Sequence, residues 1–350
     1  MHIPDGYLSP QTYVPAATAM LPFWAIASAR VKRSLRLSQV PMLALGAAFS
    51  FVIMMFNIPI PGGTTGHAIG SVLVAILLGP WAAVIAVSLA LVVQAVLFGD
   101  GGITAVGANC LNMAVIAPFA GWWTYRLLVG NSTNQKRRVF AGAAAGYVGL
   151  NASAFATAVM FGIQPYIAHD GAGRALYSPF GLEVAIPAMM GSHILVFGFV
   201  EAVVTGLVLS YVYRSDSSFV QPVVANTPPV RKYAIGLLAL VILAPIGIFL
   251  PDALKAGAAW GEWGIDEIKK EAGYVPAKMA EMDGKWKAPL PDYALPGQEE
   301  GASKASQGTV YVLSGLIGFA LLTGTVLGAR RLIAGKDEPT GDSGLDAAAS

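Results

Sequence analysis

The chain starts MHIPDGYLSP, and its first two residues carry a chelating set of nitrogens. The Met1 amine, the Met1–His2 amide nitrogen and the His2 imidazole can close two fused rings on one ion. The first ring runs from amine to amide, the second from amide to imidazole. The amide binds only after losing its proton, which takes a strongly polarising transition metal. Nitrogen donors in a tetragonal arrangement suit Ni(II) or Cu(II). His2 is too bulky for the usual trimming of an initiating methionine, so Met1 and its amine are expected to stay. A fourth nitrogen is available in His67, within PIPGGTTGHAIG. The glycines there permit irregular backbone and close approach. At membrane depth such backbone is tolerated only where it lines a cavity or is buried in protein. On the loop alone, His67 is either the fourth ligand or a histidine hydrogen-bonded at a helix start. Binding at this set displaces protons and is expected to weaken at low pH.

A site of this kind needs an anchored N-terminus, although chain ends ordinarily fray. The IPDG stretch supplies a turn with Asp5 and Gly6. Asp5 either accepts from the amine or an imidazole N–H, or caps the turn. Gly66 precedes the candidate ligand His67 and belongs to its pocket. Asp100, in FGDGG, is a first encounter point for a cation or a solvated turn residue. Asn109 and Asn112 stand three apart in an apolar run and so share a face. Buried amides need partners, here the N-terminal segment, the His67 loop or a neighbouring helix. His193, Phe197 and Glu201 are spaced i, i+4, i+8. Ionisable groups within a membrane are functional candidates, so His193 and Glu201 form either a proton relay or an internal pair that fixes packing. His169, in AHDGAGR, reads as an exposed loop residue, and the single Cys110 as a packed small one.

The elements that must hold these residues are membrane helices. Of 350 residues 55% are hydrophobic and 12% charged, with mean hydropathy +0.61, against about 25% charged in a soluble domain. No Asp, Glu, Lys or Arg occurs from Leu37 to Gly99 or from Gly101 to Tyr125. The chain therefore reads as an all-α polytopic membrane protein. Spans are expected at about 11–29, 40–57, 66–79, 81–98, 103–128, 139–162, 181–212, 231–250 and 309–329. Nine spans put every basic cluster on one side: Arg30 to Arg36, Lys136 to Arg138, Arg214, Arg231 with Lys232, and Arg330 with Arg331. That side is the cytoplasm, which leaves Met1 outside and the C-terminus inside. The loop 251–308 then faces outward. It carries Trp260, Trp263, Trp286 and IDEIKKEAG, a candidate short helix. Residues 214–230 read as a cytoplasmic linker and 334–350 as a disordered tail. No P-loop, HExxH or GxSxG pattern occurs, so no ATPase or hydrolase chemistry is expected of this chain.

Four stretches carry a family resemblance: MHIPDGYLSP at the start, PGGTTGH at 61–67, FGDGGITAVGANCLNM at 98–113 and GSHILVFGFVEAVVTG at 191–206. Together they resemble the cobalt/nickel-type substrate-binding (S) component of energy-coupling factor transporters, the CbiM/NikM family, over about residues 1–213. The resemblance implies a seven-helix unit that binds Ni²⁺ or Co²⁺ as transported substrate. Its ligands would be the Met1 amine, the His2 backbone nitrogen and imidazole, and the His67 imidazole. It also implies a transmembrane coupling (T) subunit and a pair of ATP-binding subunits as partners, in a bacterial or archaeal cytoplasmic membrane. No catalytic cofactor and no nucleic acid enter. Residues 231–333, with PLPDYALPG at 289–297, resemble the small two-span N-component of the same systems. Ala25 and Ala29 would offer a close-contact face to the coupling subunit, or serve internal packing. The competing reading is a self-sufficient proton-coupled metal transporter that uses His193 and Glu201.

Overall fold

The computed structural model describes residues 1–215, 230–297 and 302–330. The tail expected at 334–350 lies outside them, as does the linker expected at 214–230 apart from residues 214, 215 and 230. Among the described residues, seven helices are long and apolar enough to cross a membrane. They include α1 (Pro10–Ser34), α4 (Pro80–Phe98), α6 (Gln135–Ile167), α7 (Leu182–Ser215), α8 (Val230–Ala253) and α11 (Lys304–Gly328). The seventh is α2 (Val40–Met54), entered through a short turn at Leu37–Gln39. A further helix, α5, runs from Val106–Asn109 through Cys110–Ile116 to Ala117–Val129. The protein is an all-α, multi-pass membrane protein.

The span expected at 66–79 is not a full one. Helix α3 covers only Ser71–Leu78, about 12 Å at 1.5 Å per residue, against a hydrocarbon core of about 30 Å. The residues before it take another path. Ile58–Pro59 pairs antiparallel with Thr65–Gly66, and Gly70 sits in the left-handed region at φ 71°. Irregular backbone runs from His67 to Gly70. It is buried in protein, as irregular backbone at this depth must be. Ile69 is fully buried and His67 is 4% exposed.

Among the described residues, three helices contain a widened π-type turn: Gln94–Phe98 in α4, Cys110–Ile116 in α5 and His193–Phe197 in α7. Each such turn adds a residue to the helix and rotates everything beyond it.

The N-terminal segment, the 58–70 connection and the 99–105 turn gather at one end of the bundle. The opposite end holds the contact of Arg30 with the Trp81 ring and the hydrogen bond between the Tyr125 and Tyr213 hydroxyls. The segment between α8 and α11 folds over the first end. Its expected helix forms as α9 (Ile265–Ala272), and α10 (Ala277–Met282) follows. The Tyr7 hydroxyl donates to the Trp263 carbonyl at 2.7 Å, the Lys278 amide to the Leu176 carbonyl at 3.0 Å and the Leu290 amide to the Leu97 carbonyl at 2.8 Å. Met1, Ile3, Tyr7 and Leu8 are all at most 4% exposed beneath this cover. Below it, α11 packs on α2, where the Tyr311 hydroxyl donates to the Met55 carbonyl at 2.8 Å.

Candidate metal centre

The N-terminal segment is held by its backbone. The Ile3 amide donates to Asn109 Oδ1 at 2.8 Å, and Asn109 Nδ2 returns a bond to the Ile3 carbonyl at 3.2 Å. The Gly102 amide donates to the same carbonyl at 2.8 Å. The Ser9 amide donates to Gln164 Oε1 at 2.8 Å, just before α1 begins. Of the alternatives open for Asn109, the structure selects the N-terminal segment. Asn112, on the same helix, bonds elsewhere: Nδ2 donates to Thr157 Oγ1 at 3.0 Å, on α6. The π-type turn begins between the two and spreads their faces.

Asp5 does not hold the amine or an imidazole. It accepts from the amides of Ile103 (3.0 Å) and Thr104 (2.8 Å) and from the Thr104 hydroxyl. It thereby ties the N-terminal turn to the turn ahead of α5. The amine and the His2 ring would otherwise compete for it, but both have partners of their own. The Met1 amine donates to Glu262 Oε1 at 2.6 Å. His2 Nδ1 lies 3.0 Å from Asp100 Oδ1. Asp100 is thus no free turn residue. It also accepts from the Tyr293 hydroxyl and from Gln94 Nε2. Burial alone would raise the pKa of Asp100, but His2 and these bonds outweigh it and lower it below the usual carboxylate range.

His67 enters from the irregular connection ahead of α3. Its Nδ1 contacts the Ala68 carbonyl at 3.1 Å, which leaves Nε2 buried with no partner. His2 Nε2 is likewise buried and without a partner. The two rings lie 4.9 Å apart between centroids. Ligand atoms of His2, His67 and Glu262 all fall within 4.8 Å of one another. They open on a cavity of about 330 Å³ that Asn57, Asp100, Asp292, Tyr293 and Tyr311 also line. Burial, then the N-terminal ammonium and His2, push the pKa of His67 well below the ordinary imidazole value. A neutral imidazole is the form that binds a metal. Closing a ring through the His2 amide requires His2 Nδ1, because Nε2 cannot reach back. In this structure both chelate ends therefore face carboxylates: Glu262 on the amine and Asp100 on Nδ1.

Gly66 belongs to the wall behind the site. A Cβ there would lie 2.6 Å from the Phe197 ring. His193 and Glu201 do not form the expected pair. His193 Nδ1 contacts the Met189 carbonyl at 2.7 Å, and its ring packs on Phe197. Glu201 accepts from the amides of Ile69 (2.7 Å) and Gly70 (3.1 Å) and from the Thr205 hydroxyl. The π-type turn at His193–Phe197 breaks the i, i+8 register on which the pairing depended. Glu201 instead satisfies the irregular backbone just beyond His67. His169 is exposed, as expected, and its ring contacts the Asp170 carbonyl within its own loop. Ala25 and Ala29 lie on the exposed face of α1, whereas Ala16 and Ala27 face inward.

The sequence did not point to Glu262, Tyr293 or Gln164. The one available signal for Glu262 was its place in WGEWG, an acid between residues that bury. Trp260 packs on Phe161 and Phe180, and Trp263 on Phe180.

Comparison with known proteins bears on this arrangement. The family model described as the cobalt uptake substrate-specific transmembrane region, CbiM, matches residues 2–219. The chain belongs to this family. A second model, the PDGLE domain, matches residues 231–335. The fused nickel transport protein NikMN of Rhodobacter capsulatus is 46% identical over 92% of this chain and 95% of its own length. The cobalt transport protein CbiM of Acetohalobium arabaticum is 39% identical over 42% of this chain and 59% of its own. The crystal structure of a truncated transition metal transporter, 55% identical, superposes with a TM-score of 0.58. It covers 61% of this chain and 99% of its own. This family member is accordingly a transmembrane metal transport protein.

Proposed function

We propose that the chain is the substrate-binding subunit of an ATP-driven importer of the energy-coupling factor type. It captures Ni²⁺ or Co²⁺ with the Met1 amine, the His2 amide and imidazole, and the His67 imidazole. The observation that carries this reading is the meeting of the N-terminal residues Met1 and His2 with the buried, unpartnered Nε2 of His67 at one covered cavity. On this reading, residues 1–213 are the metal-binding unit and 231–333 an N-component-like unit that covers it. Positive residues at the opposite end support an outward-facing site and a cytoplasmic C-terminus. ATP hydrolysis falls to separate subunits, since the chain has no P-loop. The exposed α1 face around Ala25 and Ala29 is the proposed docking surface for the coupling subunit. Both ions remain within the proposal. Four nitrogens in a plane favour Ni²⁺ by geometry, and relatives are named for each metal.

The test is equilibrium binding of Ni²⁺ and Co²⁺ by the purified chain, with and without a tag of several residues ahead of Met1. The tag removes the amine and leaves every side chain in place. Loss of tight 1:1 binding is the expected result. Unchanged binding would refute the ligand set.

A further inference from the structure

We infer that Glu262 is a further donor to the transported ion, delivered by the C-terminal unit to a site whose nitrogens come from the N-terminal one. This rests on the ligand set proposed above and extends it.

The geometry is close to that of a bound ion. Metal–nitrogen and metal–carboxylate bonds run to about 2.0–2.2 Å, so two donors at right angles on one ion stand about 3.0 Å apart. Glu262 Oε1 lies 2.6 Å from the Met1 nitrogen, a few tenths of an ångström from that spacing. Opposite donors on the same ion stand about 4.2 Å apart. The ligand atoms of His2, His67 and Glu262 already lie within 4.8 Å of one another. An ion that replaces the amine's protons finds the carboxylate in place.

Charge argues the same way. A divalent ion held by an amine, two imidazoles and one deprotonated amide keeps one net positive charge. Buried charges are paired. Binding of the ion through His2 Nδ1 frees Asp100 from His2, but the Tyr293 hydroxyl and Gln94 Nε2 still hold its carboxylate. Among the described residues the Glu262 carboxylate bonds only the Met1 amine; its side chain remains 24% exposed and lines the cavity. It can therefore turn from ammonium to metal without breaking anything else. Its segment is fixed: Gly261 turns at φ 86° against the Phe161 ring, and Trp260 and Trp263 pack on either side. Four nitrogens in a plane leave an axial position open, and a carboxylate from the covering loop fills it. The ion then becomes five-coordinate, a geometry that Co²⁺ and high-spin Ni²⁺ accept and planar Ni²⁺ does not. The covering loop thereby influences which ion the site holds.

The experiment compares the full chain, Glu262→Gln and Glu262→Asp, each loaded with Ni²⁺ and then Co²⁺. X-ray absorption and d–d spectra report coordination number and donor type, and titration reports affinity. The wild-type chain is expected to show an oxygen donor beside the nitrogens. Glu262→Gln should give the nitrogen-only spectrum of planar Ni²⁺, with Ni²⁺ affinity at least about tenfold weaker, since even indirect partners of metal ligands are worth ten- to hundredfold. Glu262→Asp keeps the charge but retracts the oxygen by one methylene, so it too should lose the donor. If Glu262→Gln keeps the wild-type spectrum, the inference is overturned, whether or not affinity falls, because the carboxylate then acts through its field alone. If instead the tagged chain binds as tightly as the untagged one, it is the four-nitrogen reading that fails.

Discussion

Asn109 and Asn112 offer a matched pair for testing whether anchoring of the N-terminus is part of metal binding. Both are amides on α5, both are at most 3% exposed, and they stand three residues apart. Replacing Asn109 by Ala removes the acceptor of the Ile3 amide and one of two donors to the Ile3 carbonyl. The carbonyl keeps Gly102, but the amide is left buried without a partner, which costs about 1–3 kcal/mol. On the proposed ligand set the amine and the His2 nitrogens reach the ion only from the docked segment, so the loss appears in affinity. At about 1.4 kcal/mol per decade, Asn109→Ala should weaken Ni²⁺ binding by about ten- to hundredfold. Asn112→Ala removes a bond to Thr157 on α6, and should lower thermal stability while leaving affinity within about twofold of wild type. Calorimetric titration of both purified variants reads the difference. Equal losses of affinity in the two, or none in Asn109→Ala, would show that anchoring at Ile3 has no part in the site.

Other predictions follow from contacts around His67. Glu201→Ala leaves the Ile69 and Gly70 amides without their acceptor, so titration should show Ni²⁺ affinity falling by about tenfold or more. His193→Gln should leave it unchanged, because His193 bonds only within α7. Gly66→Ala places a methyl 2.6 Å from the Phe197 ring. It should impair binding through a displaced connection, and Phe197→Leu in the same chain should restore part of the loss. His67 is held neutral in the fold below the ordinary imidazole pKa of 6.5. As pH falls through that value the unfolded chain takes up a proton that the folded one refuses, so metal-free stability drops. Thermal unfolding between pH 7.5 and 5 should show that slope, and His67→Gln should reduce it.

The candidate donor nitrogens of Met1 and His2 could be picked out because covalent bonds already place them together, and ring closure needs no tertiary structure. The long helices were legible because apolar runs without charge have one use at that length. What failed was arithmetic that presumed a regular helix. His193 and Glu201 share a face only at 3.6 residues per turn, and the π-type turn removes that. Gly62, Gly63 and Gly66 were read as permitting irregular backbone, yet the span expected at 66–79 shortens to the eight residues of α3, because the irregular stretch runs on to Gly70 with Glu201 satisfying its amides. Glu262 was out of reach for another reason. It meets Met1 across 261 residues, through a loop whose placement depends on Tyr7, Phe161 and Phe180. No spacing along the chain encodes that contact.

The dependence on chain position can be tested by length as well as by loss. Asn109 and Gly102 fix Ile3, so the amine sits two residues from a fixed point. Each added residue carries it about 3.8 Å further along the chain, well beyond a metal–nitrogen bond of about 2.1 Å. A single added residue has a second effect. It makes His2 the third residue, and the amine, two amides and the imidazole then close three fused rings without help from His67. That chain should still bind Ni²⁺, but His67→Ala should no longer weaken it. With several residues added, the amine is too far to join the fused rings, and binding should be lost. The native chain should bind and depend on His67. A response that declined smoothly with length, with His67 equally important at one added residue, would mean that the amine is not a ligand and that the imidazoles alone hold the ion.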